Sequence, residues 1–526
     1  MKTSTTMLAF VLILIQMHVF GAMESSLSPI NSRTDTLNQT NNLRLSPKAE
    51  TLETFNLASF KLPYIKYHSL DLIFYTSNES RSDSWKDTTG YKYNFSDIYS
   101  NITARANYSK SINTPTEQSL YSLTSRFFVY PYSETKKNID NSQTNLTHHF
   151  STGAHITGTS HNRYYISAPV FIELGSSLGV SQNRRLNKNI AKDSNENPFH
   201  ENSSKANTTN IVANLEIGLG SGRIEEVTDA QLALFILKEL KKENRLLREP
   251  NFEEIYKLAE LMSQKRNQRF FDNRHKIIDQ VKAIDSFLTS LGLSNQPDAS
   301  YFTTIYDNWQ FANNPSRSSG FRISGGAQLN YTFSQTINNI ELIIPIQDNE
   351  VNEYTNNLLN YGVWLKLVNE KPINHYWQRT IIADFNYIIR NYSYFSTNNQ
   401  KYKWGQDNLE LNLNASAGYY PSTRTYLNIG LECGSQLYNL NRFANLSNSE
   451  YDENSKHLQI YMGPTVVGYY YISPKVRFNI RGKLTYNFFN SNDFNLITPP
   501  PGLGFTYVKA NIIGAYLFAS LEYAIF

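Results

Sequence analysis

Cysteine is almost missing: Cys433 stands alone among 526 residues, so no internal disulfide can staple the fold. Long apolar runs are missing too. Beyond the first two dozen residues, no stretch approaches the ~20 apolar residues that a membrane-spanning helix requires. An excess of one charge is also lacking, because 49 Lys and Arg against 45 Asp and Glu leave only +4. No basic patch interleaved with aromatics argues for nucleic acid. What the chain does have is aromatic residues, 36 Tyr and 30 Phe, within a hydrophobic content of only 40%.

The most informative stretch is 407–419. There Leu409, Leu411, Leu413, Ala415, Ala417 and Tyr419 alternate with Glu410, Asn412, Asn414, Ser416 and Gly418, which puts one set on each face of a strand. The pattern returns at 321–333, 427–437 and 476–488. Candidate strands fall near 61–75, 91–108, 118–130, 147–158, 163–180, 209–220, 319–333, 358–368, 375–391, 407–419, 424–438, 457–470, 475–488 and 505–526. That is about fourteen, within a range of about twelve to sixteen, and an even number is what bacterial barrels use. Short links (Ser109–Glu117, Ser160–Asn162, Asn369–Asn374, Tyr420–Thr423, Tyr471–Pro474) alternate with long polar ones (Thr76–Gly90, Pro131–Asn145, Gln182–Thr208, Ser334–Asn357, Tyr394–Gln406, Asn439–Lys456, Asn490–Gly502). The sequence therefore predicts an all-β transmembrane antiparallel barrel with short periplasmic turns, long outer loops and both termini periplasmic. Its aromatics would supply the interfacial girdles.

Lys2, the apolar run Met7–Phe20 and the small residues Gly21 and Ala22 form an export signal over residues 1–22. Residues 23–60 read as a polar, disordered periplasmic lead. Barrel halves then occupy 61–222 and 319–526, separated by a helical insert and linker at 223–318. Three amphipathic helices are expected within 223–292. The first is capped by Thr228 or Asp229 and carries Leu232, Ile236 and Leu240. In the second, Asn251 and Glu254 set up a capping box before Ile255, Leu258 and Met262. The third runs from Phe270 to Leu291 and stops at Gly292. The Asn-x-Ser/Thr triplets at Asn94, Asn101, Asn107 and Asn414 follow from an Asn- and Ser-rich composition and mark no glycosylation sites.

Three runs in and around the insert are distinctive: Gly218-Leu-Gly-Ser-Gly-Arg-Ile-Glu-Glu-Val-Thr-Asp229, Arg269-Phe-Phe-Asp-Asn-Arg274 and Tyr301-Phe-Thr-Thr-Ile-Tyr-Asp-Asn-Trp309. Together they resemble a segment of outer-membrane barrel proteins of the Bacteroidota, over about residues 209–330. The resemblance implies an outer-membrane barrel interrupted by helices, and it implies no chemistry. Phe526 is similar to the terminal signal read by the barrel-assembly machinery. The alternation, however, puts it on the row of Glu522 and Ser520, opposite the more apolar Leu517, Leu521 and Tyr523.

The glycines at 218, 220 and 222 lack the Lys-Ser/Thr of a phosphate loop and read as the point where the chain leaves the barrel wall. His148 and His149 face opposite ways, His155 and His161 are isolated, and no spacing suits a metal. No cofactor is implied, and no Ser/His/Asp spacing marks an enzyme. The inward charges Glu410, Glu432, Arg477, Arg481 and Lys483 are the candidate lumen residues, as opposed walls that orient polar solutes or as pairs across strands. Lys241, Arg245, Arg248, Arg266 and Arg269 are the candidate docking residues of the insert. The leading expectation is a porin-like channel for small polar solutes. The alternative is an envelope binding or assembly protein that uses the barrel as anchor and the helices as platform for a periplasmic partner; a barrel-embedded hydrolase trails. A lumen packed shut by Trp364 and Phe171 would favour the platform.

Overall fold

The computed structural model describes residues 52–86, 92–138, 143–267, 273–294, 298–311, 316–344, 348–397, 401–446, 449–473, 476–491 and 509–523. The export signal, most of the polar lead, Arg269 and Phe526 lie outside them.

Fourteen strands follow one another: β1 (Ile65–Lys86), β2 (Lys92–Asn113), β3 (Glu117–Asn138), β4 (Thr144–Ser167), β5 (Val170–Lys192), β6 (Pro198–Glu226), β7 (Ser318–Ile344), β8 (Asp348–Pro372), β9 (Trp377–Ser396), β10 (Lys401–Ser422), β11 (Thr425–Leu446), β12 (Ser449–Ser473), β13 (Val476–Ser491) and β14 (Lys509–Tyr523). They make one antiparallel sheet in sequence order, without a crossover. Among the described residues β1 pairs only with β2, and β14 only with β13.

The expected alternation fixes the faces. Leu409, Leu411 and Leu413 are exposed, as are Leu431, Ile429, Leu437, Met462, Tyr486, Leu517 and Leu521 on the neighbouring strands. On the opposite face Asn408 is fully buried, while Glu410, Asn412 and Asn414 are half-buried. The sheet thus has one apolar exposed face and one polar face. The polar face curls inward at one end, since Arg223 of β6 donates to Asn113 Oδ1 of β2 at 2.9 Å. In a flat sheet four strand spacings would separate those strands by about 19 Å.

The number of strands agrees with the alternation, but their lengths do not. They run from 15 to 29 residues, far beyond the ~9–11 that cross a bilayer. Six of the seven stretches read as long polar loops are largely continued strands: Ser77 to Ser84 pair in register with Asn101 to Asn94. Here both faces are wet, so a period of two leaves no hydrophobic signal. Cross-strand polar pairs replace apolar ones, for example Asn189–Asn202 at 3.1 Å and Thr208–Thr336 at 3.1 Å.

Between β6 and β7 lie four helices, one more than expected: α1 (Thr228–Lys242), α2 (Phe252–Arg266), α3 (Asn273–Ser290) and α4 (Ala299–Gln310). The Asn251/Glu254 capping box is present at α2. Past α3, Gly292 takes φ +62° and the Leu293 amide donates to Leu288 O at 2.9 Å. The extra helix α4 starts where Asp298 caps the Tyr301 amide at 2.9 Å, and it buries Tyr301, Ile305 and Trp309 at every fourth position. It falls in the stretch read as linker. The main apolar core sits here and not in the sheet, around an α1 that is buried on all sides from Thr228 to Leu237. Leu52, Phe55, Leu57 and Phe60 complete that core. The end of the supposed disordered lead is therefore ordered, because four apolar residues find a ready face.

Glycine at 463 is required by close approach, as a Cβ there would lie 1.7 Å from Leu484 O. Gly514 has no heavy atom within 4 Å of the same position. Gly463→Ala should therefore cost about 1–3 kcal/mol and Gly514→Ala almost nothing, read as thermal unfolding midpoints. Equal midpoints would refute the β12–β13 packing.

Candidate functional site

The helices meet the strands at the rim of the short turns, and Arg317 is the centre of that junction. It is fully buried. Its guanidinium donates to the backbone carbonyls of His375 at 2.6 Å, Asn374 at 2.6 Å and Trp377 at 2.7 Å, and to Gln378 Oε1 at 3.1 Å. It lies 5.0 Å over the Tyr420 ring. Among the described residues no carboxylate forms an ion pair with it; carbonyl dipoles surround it. Burial pushes its pKa down to about 10, which still leaves it charged at neutral pH. Its backbone ties to α1, where the Arg317 amide donates to the Thr228 hydroxyl at 2.8 Å and Arg317 O accepts from the Val227 amide at 2.7 Å.

His375, in the β8–β9 turn, carries the next set of contacts. Lys238 of α1 donates to Nδ1 at 2.9 Å, so Nε2 bears the proton and donates to Phe55 O at 2.7 Å. The imidazole thereby bolts the 52–60 segment to the turn. Burial first, then the Lys238 ammonium, hold its pKa below the usual histidine range. Lys238 also pairs with Glu53 at 2.9 Å. Further along the rim, Arg424 of the β10–β11 turn pairs with Asp307 of α4, and Phe311 packs 4.8 Å from Tyr471 of β12.

The distinctive run at the end of β6 builds this junction. Glu226 and Asp229 both face Arg266 of α2, at 3.1 and 3.2 Å, and Ser263 donates to Asp229 at 2.6 Å. Burial raises the Asp229 pKa against the opposing pull of Arg266. The glycines do not simply turn the chain out of the wall, as β6 continues to Glu226. They make room: a Cβ at Gly220 would meet Phe171 Cζ at 2.3 Å, and one at Gly218 would meet Trp364 Cζ2 at 2.9 Å. Phe171 and Trp364 therefore lie flat across β6 on the polar face.

Each described docking candidate already has a partner. Lys241 pairs with Glu249, Arg245 with Asp298 at 2.6 Å, and Arg266 with Glu226 and Asp229. Arg248 forms a fork on Glu254 at 2.6 and 2.9 Å. Arg269 lies outside the described residues.

All five lumen candidates lie on the polar face, mostly in pairs. Lys483 reaches Glu432 at 2.6 Å across β12, and Arg477 pairs with Glu522. Glu410 has Arg390 at 3.6 Å and accepts from Gln436 at 3.1 Å. Arg481 is exposed. Among the described residues these positive and negative groups are neighbours. His161 is not isolated: it and Arg163 both lie 2.8 Å from the buried Glu173. Among the described residues no group of three His, Cys, Asp or Glu is arranged for a metal ion, and no helix is long and apolar enough to cross a membrane.

No family model and no curated protein sequence matches this chain. Among solved structures it is similar to the translocator domain of the autotransporter NalP from Neisseria meningitidis, at 9% identity over 76% of this chain and 88% of that one, TM-score 0.17. The β domain of the Bordetella autotransporter BrkA gives 8% identity over 76% and 98%, TM-score 0.20. The ferric yersiniabactin receptor FyuA from Yersinia pestis gives 8% over 80% and 74%, TM-score 0.23.

Two outcomes test the junction. Arg317→Met removes a charged donor from buried carbonyls and should cost on the order of 3 kcal/mol, with new protease cleavage at 373–376. Unchanged stability would remove Arg317 from its central place. The His375 pKa is lowered on folding, so its contribution is complete above the unfolded value of about 6.5 and is lost as pH falls towards and through the lowered folded value. Protection of the Phe55–Phe60 amides from exchange, taken relative to their intrinsic rates, should accordingly fall between pH 7.5 and 5.5, and His375→Gln should flatten that dependence. A dependence of equal size in the variant would assign it to another group.

Proposed function

We propose that this chain is an outer-membrane β-barrel, closed by pairing of β1 with β14, that conducts small polar solutes past a resident helical cap. The observation that carries the reading is the two-faced sheet: an exposed apolar row on strand after strand, with a half-buried polar row behind it. Water would solvate the first face poorly, whereas lipid suits it. Closure is supported by two long edges that have no partner strand among the described residues, β1 with 22 residues and β14 with 15. A bilayer tolerates no open backbone edge, and a barrel removes both edges.

The cap is integral to this arrangement. Its stripes are buried against one another and against 52–60, and its described docking candidates are engaged internally. That pairing weakens the alternative of a basic platform for an envelope partner. Seated on turns from β8 to β12, the helices lie at one mouth of the barrel, where they restrict passage.

Leu413→Arg should cost about 2–4 kcal/mol in bilayers if it lies near the midplane. Asn414→Arg, which faces Glu432 in register, should cost far less; equal costs would end the lipid-facing assignment. Because Val227 and Arg317 are hydrogen-bonded neighbours, residues 229–315 can be replaced by a short linker. Single-channel conductance in planar bilayers should then rise several-fold. A closed, non-conducting barrel both with and without the cap would overturn the channel.

A further inference from the structure

The polar face holds a cavity of about 280 Å³ spanning β6 to β9, lined by Asn214, Glu216, Gln328, Asn330, Asn360 and Arg390. Three of these form a directed ladder. Asn360 Nδ2 donates to Asn330 Oδ1 at 3.2 Å, Asn330 Nδ2 to Asn214 Oδ1, and Asn214 Nδ2 to Ser177 Oγ at 2.5 Å. All the amides donate in the same sense, each polarising the next, and the ladder ends in Asn360 Oδ1, a buried acceptor with no donor. Two more lining residues hold buried polar atoms without partners, Gln328 Nε2 and Arg390 Nε. Register places them together. Asn360 pairs with Asn330 and Arg390, and Gln328 with Gly362. Buried polar atoms are normally satisfied, so three orphans on the lining of one cavity mark a place where something polar binds.

We propose that this cavity is a subsite for a neutral sugar ring. A hydroxyl donates one hydrogen bond and accepts two, and the lining orphans offer two donors and one acceptor, which matches such groups and not a purely anionic ligand. Charge agrees, because the lining carries one carboxylate, Glu216, and one guanidinium, Arg390, itself 3.6 Å from Glu410. Ile388 supplies an apolar patch for the C–H face of a ring. The volume is at the small end of ligand pockets, about 300 Å³ upwards, and so suits one ring. The proposal rests on the polar face being the wall of the barrel, and it names the solute class for that wall.

The test uses the full chain refolded in detergent micelles, with glucose as the probe and glycine as a zwitterionic control, followed by saturation-transfer NMR. Glucose should give saturable transfer and glycine none, and Asn360→Leu should weaken glucose binding about tenfold or more. Gln328→Met, which keeps the length of the side chain and removes the amide, gives the same reading if Asn360→Leu does not fold. Glucose without transfer, glycine equal to glucose, or binding unchanged in both folded variants would overturn the subsite. Potassium chloride conductance, measured without sugar, tests the channel separately: a conducting protein that does not bind glucose refutes the sugar and keeps the pore.

Discussion

Every interior strand exchanges backbone hydrogen bonds with the strand before it and the strand after it in sequence, and this single constraint propagates through the molecule. Antiparallel order without a crossover gives the sheet two rims, one for even-to-odd connections and one for odd-to-even. Strict alternation gives it two faces. The helices enter as an enlarged hairpin turn: β6 and β7 stay in register up to Glu226↔Ser318 although α1 to α4 are threaded between them. The insertion therefore costs the ladder nothing, and it places the helical core at the rim of the short turns.

That core needs a seat, and the seat is polar. Turns leave carbonyls without ladder partners, and burying them beneath helices would be costly. The Arg317 guanidinium meets three of them at once, a role that its planar fork of donors suits better than a lysine would. Gln231 adds a donor to His375 O at 3.1 Å, and His375 passes the connection to Phe55. Helix, turn and N-terminal segment are thus joined by a chain of satisfied polar groups around an apolar centre.

Much of the architecture was legible in the sequence because alternation survives wherever one face is apolar, as from Leu409 to Tyr419. It vanishes where both faces are wet, so the strand from Ser77 to Ser84 read as a loop. Helix α4 read as linker because Thr303, Thr304 and the surrounding polar residues obscure the four-residue spacing of Tyr301, Ile305 and Trp309. The basic residues of the insert read as free because their partners, Asp298 for Arg245 and Glu226 for Arg266, are remote in sequence. Arg317 gave no signal at all: a single arginine before a strand looks like any other until the turn at 374–377 closes over it.

The same reasoning explains why the polar wall was harder to read than the apolar one. An apolar face is a property of each strand alone, visible in any window of ten residues. A polar site is a property of rows across strands. Asn214, Asn330 and Asn360 lie on β6, β7 and β8, and the helices separate the first from the other two. Composition shows only that asparagine is common. Register turns that abundance into a ladder with one direction and one unsatisfied end. An asparagine-rich sequence on a strict two-residue period therefore specifies its envelope first and its binding chemistry only once neighbouring strands are paired.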